Sequence, residues 1–387
     1  MTHKVLCFSE KVNRDTLFSM IETNLGFGLM RLPCTNGADT SSIDMPLFTC
    51  LADRFLADGG HYFDTAYPYH NGKSETAFRE AVALRHSRES FTITDKMPVW
   101  LVKKTEDYSV LFEEQLKRCG VCHFDYYWLH ALNAQRYTQQ KELGGFAFLE
   151  KLKDEGKILH TGFSFHDKAA VLEQILTEQP QLEYVQLQIN YIDWENPAVE
   201  SRKCYEVAFA HHKPIIVMEP LKGGCLGNIP QKAEEVFQAV HPDWSDAQWA
   251  LSFVRSLPGI FMVLSGMNEM SQVETNLKDC QLPVTLGNEE QDAIATVRKI
   301  INDTIAIPCT GCGYCKEGCP KHINIPSLFS LRNDVARYSL IPGLRRRYGM
   351  QGSKPSDCIK CHRCEHACPQ HLPITTLLEE TAKVFEN

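Results

Sequence analysis

The sequence predicts an α/β chain: an eight-stranded parallel (β/α)8, or TIM, barrel wrapped by helices, followed by a small α+β domain. Three observations lead there. Short β-rich runs alternate with amphipathic helical stretches over about the first 280 residues, the pattern of a parallel sheet with helices on its faces. There are eight such runs in about 260 residues, which is the count and the length of a barrel. The cysteines are concentrated at the other end, with eight of sixteen between residues 309 and 368.

The expected strands are Asn24–Leu29, Tyr62–Thr65, Phe91–Thr94, Asp125–Leu129, Ile158–Phe163, Tyr184–Gln188, Ile215–Met218 and Phe261–Leu264. Many are nearly continuous apolar runs, as expected when both faces of a sheet are covered. Between them, Ser74–Leu84, Tyr108–Cys119, Gly145–Asp154 and Lys168–Thr177 carry helical periodicity. A helical segment over 286–304 leads out of the barrel. The expected division is therefore 1–285 barrel, 286–305 linker helix, and 306–387 cysteine-rich domain with a C-terminal helix. Variable loops that would set specificity fall at 97–107, 131–144, 191–200 and 226–246.

With 387 residues, 43% hydrophobic and 23% charged, the composition is that of a globular protein. The net charge of −8 and the lack of an extended basic face argue against nucleic acid as a partner. The opening MTHKVLCFSE has no apolar core of a secretory signal, and no stretch approaches the ~20 apolar residues of a membrane span. A cytoplasmic protein with no membrane partner is expected. Sixteen cysteines in that setting point to metal or redox use rather than to disulfides.

The dense cysteines read Cys309-x2-Cys312-x2-Cys315-x3-Cys319-Pro320 and Cys358-x2-Cys361-x2-Cys364-x3-Cys368-Pro369. This resembles the bacterial ferredoxin run, given twice, and implies two [4Fe-4S] clusters in a ferredoxin-like domain. Three thiolates two residues apart can wrap one face of a cubane, while the fourth points away. By the resemblance, one cluster takes Cys309, Cys312, Cys315 and Cys368, and the other takes Cys358, Cys361, Cys364 and Cys319. Zinc is the competing reading, but it gives no reason for a third cysteine at the same spacing in both runs. The insert between Cys319 and Cys358 is 38 residues long. It carries an apolar-periodic piece (Ile325, Leu328, Phe329, Leu331) that suits a helix. It also holds Arg345-Arg346-Arg347, read as a solvated basic turn, with a docking patch for an external, acidic electron carrier as the sharper alternative. The remaining cysteines, Cys7, Cys34, Cys50, Cys119, Cys122, Cys204, Cys225 and Cys280, are read as small hydrophobes rather than ligands.

Barrel enzymes place their chemistry at the C-terminal ends of the strands. The second run ends in FDTAYPYHNGKSE (63–75), the third in Thr94-Asp95-Lys96, and the fourth in Tyr127-Trp128-Leu129-His130. Asp64, Lys96 and His130 are spaced 32 and 34 residues apart, about one βα unit each, which places them at one height on adjacent strands.

On these residues the chain resembles the aldo/keto reductase family over roughly 22–282. FDTAYPYHNGKSE is similar to the family's Asp–Tyr segment, TDK to its lysine, LKRCGVCHFDYYWLH to the passage leading to its histidine, and ILHTGFSFHD to the strand ending in a nicotinamide-binding serine. With the cysteine runs, the whole chain resembles the iron–sulfur branch of that family. The resemblance implies an NAD(P)H-linked oxidoreductase acting on a small carbonyl or alcohol, with Asp64, Tyr69, Lys96 and His130 as catalytic residues. Tyr69 is preferred to Tyr67 by the family spacing alone. In that scheme Tyr69 donates the proton. Lys96 lowers its pKa by stabilising the phenolate, Asp64 holds Lys96, and His130 orients the substrate oxygen.

The resemblance also implies cofactor contacts. Ser164 and Gln186 would hold the carboxamide. Met218, Glu219, Pro220, Leu221 and Gly223 would lie along the nicotinamide and pyrophosphate. Ser265, Gly266, Met267, Gln272 and Asn276 would meet the adenosine phosphate, and Arg31 a further phosphate. Three residues depart from the family pattern. Phe165 replaces an asparagine, Met218 an aromatic ring, and Gly266 the lysine that NADPH-selective members use for the 2′-phosphate. NADPH or NADH is expected, with NADPH favoured by the family. Clusters move single electrons and nicotinamide moves two, so coupling them requires a mediator; a flavin is left open. Alternatives are an electron-transfer module, clusters that are structural only, and a regulatory subunit.

Overall fold

The structure, a computed structural model, describes residues 24–36, 39–197, 199–281, 284–338 and 342–386. Cys7 and the opening segment lie outside the described residues, as does the side chain of Arg346.

Eight parallel strands close into a barrel in the order β1 to β8. They are β1 (Leu25–Gly28), β2 (Tyr62–Asp64), β3 (Thr92–Met97), β4 (Phe124–Leu132), β5 (Ile158–Phe165), β6 (Tyr184–Gln188), β7 (Ile215–Met218) and β8 (Ile260–Ser265). All eight expected strands are present. β3 and β4 each run three residues further than expected, to Met97 and Leu132, so residues assigned to loops are barrel wall.

The barrel interior is filled by Tyr62, Tyr126, Trp128, Tyr184, Ile216, Met262 and Leu264, which form one buried cluster. Such bulk needs space elsewhere, and Gly162 supplies it. A Cβ there would come within 2.4 Å of the Trp128 ring and 2.5 Å of the Tyr184 carbonyl. Because strand side chains repeat with period two, the next inward position on each strand is fixed. Two residues past Tyr62, Trp128, Tyr184 and Ile216 stand Asp64, His130, Gln186 and Met218. The hydrophobic plug is thus the floor of whatever lies at the strand ends.

The helical layer departs from expectation in three places, one of them the loop expected over 226–246, which holds the helix Gln231–Val240. The segment over 74–84 is α-helical only through Phe78 and continues as a π-helical turn over Arg79–Ala83. The loop expected over 131–144 is largely a helix, Ala134–Leu143, whose N-terminus is capped by the Asn133 side chain accepting from the Arg136 amide at 2.9 Å.

The chain forms two compact units. Of the described residues, one unit takes those within 1–189, 202–220 and 254–285, and the other those within 190–201, 221–253 and 286–387. In the second, the helix Asn288–Thr304 precedes the cysteine runs. Among the described residues after it, regular structure is helical: Tyr314–Glu317, Ile325–Tyr338, Pro342–Gly349, Arg363–His366 and Ile374–Phe385. The apolar piece of the insert is the second of these. Arg345 and Arg347 sit on the third rather than on a turn, and Arg347 pairs with Asp334 at 2.9 Å. Among the described residues no helix is long and apolar enough to cross a membrane.

Candidate active site

Four residues expected to act together do converge. Lys96 is fully buried at the end of β3. Its ammonium donates to Asp64 Oδ1 at 2.6 Å, to the Thr65 carbonyl at 2.7 Å, and toward the Tyr69 hydroxyl at 3.5 Å. The same ammonium lies 5.0 Å from the centre of the Tyr69 ring. The Tyr69 and His130 rings meet edge to face at 6.0 Å. Of the two tyrosines, Tyr69 is the one beside Lys96 and His130. Tyr67 turns the other way, under the Arg118 guanidinium at 4.5 Å and toward Glu114.

The three strand-end residues are not register partners. Asp64 pairs with Thr94, and Lys96 pairs with Trp128. Each candidate sits two residues further along its strand than the partner of its neighbour. The even offset keeps all three pointing inward, and the stagger is that of tilted strands in a closed barrel.

Burial governs the electrostatics. It raises the Asp64 carboxyl above its ordinary value, opposed by Lys96 and by a hydrogen bond from Gln186. It holds His130 well below an ordinary histidine, helped by the charges of Lys96, His166 and Arg136. His130 is therefore a neutral imidazole at neutral pH. Its Nδ1 is buried and has no hydrogen-bond partner, an orphaned polar atom of the kind a ligand satisfies. The Trp100 ring tilts against the imidazole at 5.1 Å, and Arg136 lies over Trp100 at 5.3 Å while donating to the Ala131 carbonyl at 2.8 Å. Sequence reasoning missed Trp100 and Arg136 because both lie in segments read as variable loop.

The expected cofactor residues divide by place. Gln186 donates to Asp64 Oδ2 at 3.1 Å and so belongs to the same network as Lys96. Ser164, its register partner on β5, accepts from the Ala131 amide at 2.7 Å, leaving its hydroxyl proton to donate elsewhere. Met218 ends β7, and Glu219 follows with a left-handed backbone (φ 56°). Leu221 precedes a turn over Lys222–Gly227 in which Gly223 and Gly224 take φ of 69° and 93°. After β8, Asn276 donates to Ser265 at 3.2 Å, and Gln272 accepts from the Asn268 amide at 2.9 Å. Met267 is buried. Arg31 packs across Gly266: a Cβ at 266 would come within 3.0 Å of the arginine Cβ.

The cysteine runs form a second site. Cys319, Cys358, Cys361 and Cys364 line one cavity with Pro320, Ile323 and Leu378. This gathers the fourth cysteine of the first run with the first three of the second. Near Cys315, whose thiol is raised by burial, lie Cys312, Cys309, Cys368 and Cys364. The two runs also share a backbone. Gly311 and Lys360, Gly313 and His362, and His322 and His371 are matched positions, and all six have positive φ. The amides of Gly311 and Lys360 point at Cys309 and Cys358 sulfur, at 3.4 and 3.5 Å. Amides turned toward sulfur, and thiols otherwise without reason to cluster, fit an iron–sulfur group. Cys119, by contrast, is a buried thiol 3.6 Å from Asp95.

Among curated proteins, no sequence matches the chain. The 4Fe-4S dicluster domain matches residues 308–373. Of solved structures, an aldo-keto reductase from Bacillus halodurans in its holo form is 19% identical, with a TM-score of 0.58 over 71% of this chain and 91% of its own. An aldo/keto reductase from Klebsiella pneumoniae in complex with NADPH is 18% identical, with a TM-score of 0.56 over 72% of this chain and 90% of its own. Both likenesses concern the fold. The aldo/keto reductase family model matches residues 24–299, and with the barrel and its strand-end residues in place, the chain belongs to the aldo/keto reductase family and carries a C-terminal 4Fe-4S domain.

Proposed function

We propose that the protein is an NAD(P)H-linked oxidoreductase that reduces a small carbonyl compound, or oxidises the alcohol, with Tyr69 as the general acid/base. The observation that carries this reading is the Lys96 ammonium, held by Asp64 at 2.6 Å and set 3.5 Å from the Tyr69 hydroxyl. A fixed cation beside a phenol stabilises the phenolate and brings proton exchange within reach of neutral pH. A bound reduced nicotinamide supplies the hydride. The chain's own residues do the rest. Tyr69 gives its proton to the developing alkoxide, and Lys96 balances the phenolate left behind. Asp64, kept in place by Gln186, fixes Lys96. Neutral His130 keeps one ring N–H, with which it hydrogen-bonds the substrate oxygen and orients it. Ser164 and Gln186 would hold the carboxamide, and Trp100 would wall the substrate side.

The test is turnover by the anaerobically purified holoenzyme against a carbonyl panel. Tyr69→Phe is expected to lower kcat about 10²- to 10⁴-fold, the range for loss of a general acid, with nicotinamide binding unchanged. Full turnover by that variant would refute the mechanism.

NADPH is the favoured donor. The Klebsiella relative was solved with NADPH, and in this chain Arg31 covers Gly266, the position at which a lysine is absent. Arg31→Ala is expected to raise KM for NADPH more than for NADH; an equal rise for both would remove Arg31 from the 2′-phosphate.

The two cysteine sets are read as two [4Fe-4S] clusters with crossed ligands, which the shared cavity of Cys319 with Cys358, Cys361 and Cys364 supports. Iron and sulfide counting checks the number, and Cys319→Ser is expected to lose one cluster only. Electron relay to an external carrier is the further role of these clusters. Where a two-electron mediator such as a flavin couples them to the nicotinamide, anaerobic addition of NADPH or NADH bleaches their absorption; an unchanged spectrum would leave them as staples of a small domain.

A further inference from the structure

The loop that carries Tyr69 is tied down on the outer side of the barrel wall. Lys96 points inward from β3, so its neighbour Asp95 points outward, toward the helices. There Asp95 accepts from the Lys96 amide at 2.8 Å and meets the Cys119 thiol at 3.6 Å. Glu75, six residues after Tyr69, reaches the same place, and both carboxyl groups are fully buried. One oxygen of each carboxyl lies within 4.8 Å of the other and of the Cys119 sulfur. Facing them from the helix Glu106–Cys119 are Gln115, Arg118 and Cys119, and from β4 comes Tyr127. Gln115 donates to Glu75 Oε1 at 3.1 Å and to the Lys96 carbonyl at 3.0 Å, and accepts from the Tyr127 hydroxyl. Arg118 Nε is 2.9 Å from Glu75 Oε2, and the same guanidinium donates to the Gly72 carbonyl. The Tyr69 loop is thus gripped at Gly72 and Glu75, and β3 at both backbone groups of Lys96.

Two carboxyl groups buried this close do not both ionise, and the proton that one retains lets it donate to the other. Arg118 balances the charge that remains. We infer that Glu75 and Asp95 form a carboxyl pair sharing one proton, and that this pair positions the Tyr69 loop against the Lys96 strand. The inference rests on Tyr69 being the proton donor; Glu75 and Asp95 are positioning residues that touch no substrate. Burial, and then the neighbouring Asp95, pushes Glu75 up to about 10, and burial pushes Asp95 up to about 6, in keeping with a retained proton.

Two measurements on the holoenzyme test it. The infrared difference between the wild type and Glu75→Gln at neutral pH should contain the carbonyl stretch of a protonated carboxyl; its absence overturns the shared proton. In turnover, Glu75→Gln should keep kcat within about threefold, because the amide donates where the acid did. Glu75→Ala should lower kcat about 10- to 100-fold with nicotinamide affinity unchanged, the scale of a misplaced catalytic group. Equal losses in the two variants, or a loss confined to nicotinamide affinity, overturn the positioning role. If Glu75→Ala fails to fold, Glu75→Asp, one methylene short of Asp95, replaces it with the same expectation. Full turnover by Tyr69→Phe with the infrared band intact would remove the role of Tyr69 and leave the shared proton standing.

Discussion

The buried Lys96–Asp64 pair has the highest stakes of any side-chain contact in the site. Neither group reaches solvent, and the Thr65 carbonyl and Gln186 complete their hydrogen bonds. Removing the ammonium leaves a buried carboxylate, so Lys96→Met is expected to cost about 3–5 kcal/mol of stability as well as activity. Urea unfolding measures this, and a cost under about 1 kcal/mol would mean that Asp64 is neutral in the fold. His130 makes a prediction of its own. Burial holds it below its ordinary value of 6.5, so beneath that pH the unfolded chain binds a proton that the folded chain refuses. Its contribution is intact above about 6.5 and erodes as pH falls. His130→Asn should therefore lose less thermal stability than the wild type between pH 7 and 5, in scans of both proteins. Identical losses would show that His130 takes up a proton as readily in the fold as in the unfolded chain. Asp64, Lys96 and His130 were legible because barrel repeats of 32 and 34 residues bring them to one rim, and Tyr69 only through the family spacing. Glu75 and Asp95 were not, although both stand inside the quoted motifs. Nothing in a sequence says that an acid at a helix start and an acid on a strand, 20 residues apart, will be buried against each other.

Elements were legible to the degree that burial dictated their composition. The strands are covered on both faces, so their apolar runs stood out, and only their ends were misjudged. β3 and β4 continue through Asp95-Lys96-Met97 and His130-Ala131-Leu132 because the functional residues are themselves part of the wall. Polar residues at a strand end looked like the start of a loop. The helix Ala134–Leu143 was missed for the opposite reason. Only Tyr137 and Gln140 are buried in it, so it has almost no apolar stripe to detect. Its definition rests on its ends: Asn133 caps the start, and Gly144 closes it with φ of 80°. Asn133→Ala should weaken the helix by about 1 kcal/mol, while Asn133→Asp keeps the cap. Amide exchange over 134–143 reads this locally. Unchanged protection in Asn133→Ala would mean that packing of Tyr137, hydrogen-bonded to Glu178 at 2.7 Å, holds the helix without its cap.

At the scale of the whole molecule, the two ends of the chain are stabilised by different means. The barrel has a large aromatic interior and a closed ladder with no edge strand. The residues after Ile307 have a smaller core, in which Ile323, Ile325, Leu328, Phe329, Leu372, Ile374 and Phe385 pack with Cys315 and Cys364. Cys309, Cys319, Cys358 and Cys368 line its border. Cysteines thus occupy positions that apolar side chains would fill in a self-sufficient domain of this size. When a small core is built around ligands, binding energy becomes folding energy. The matched left-handed residues strengthen the point. Lys360, His322, His362 and His371 hold positive φ without being glycine, a conformation that costs of order 1–3 kcal/mol each and persists only where surroundings impose it. Removal of iron and sulfide should therefore release these turns first. Amide protection between Ile307 and Phe385 is expected to collapse in the apo-protein while β1–β8 stay protected, measured by hydrogen exchange before and after anaerobic chelation. Equal protection in both forms would mean that the apolar contacts among Ile325, Phe329, Leu378 and their neighbours suffice to hold this end of the chain.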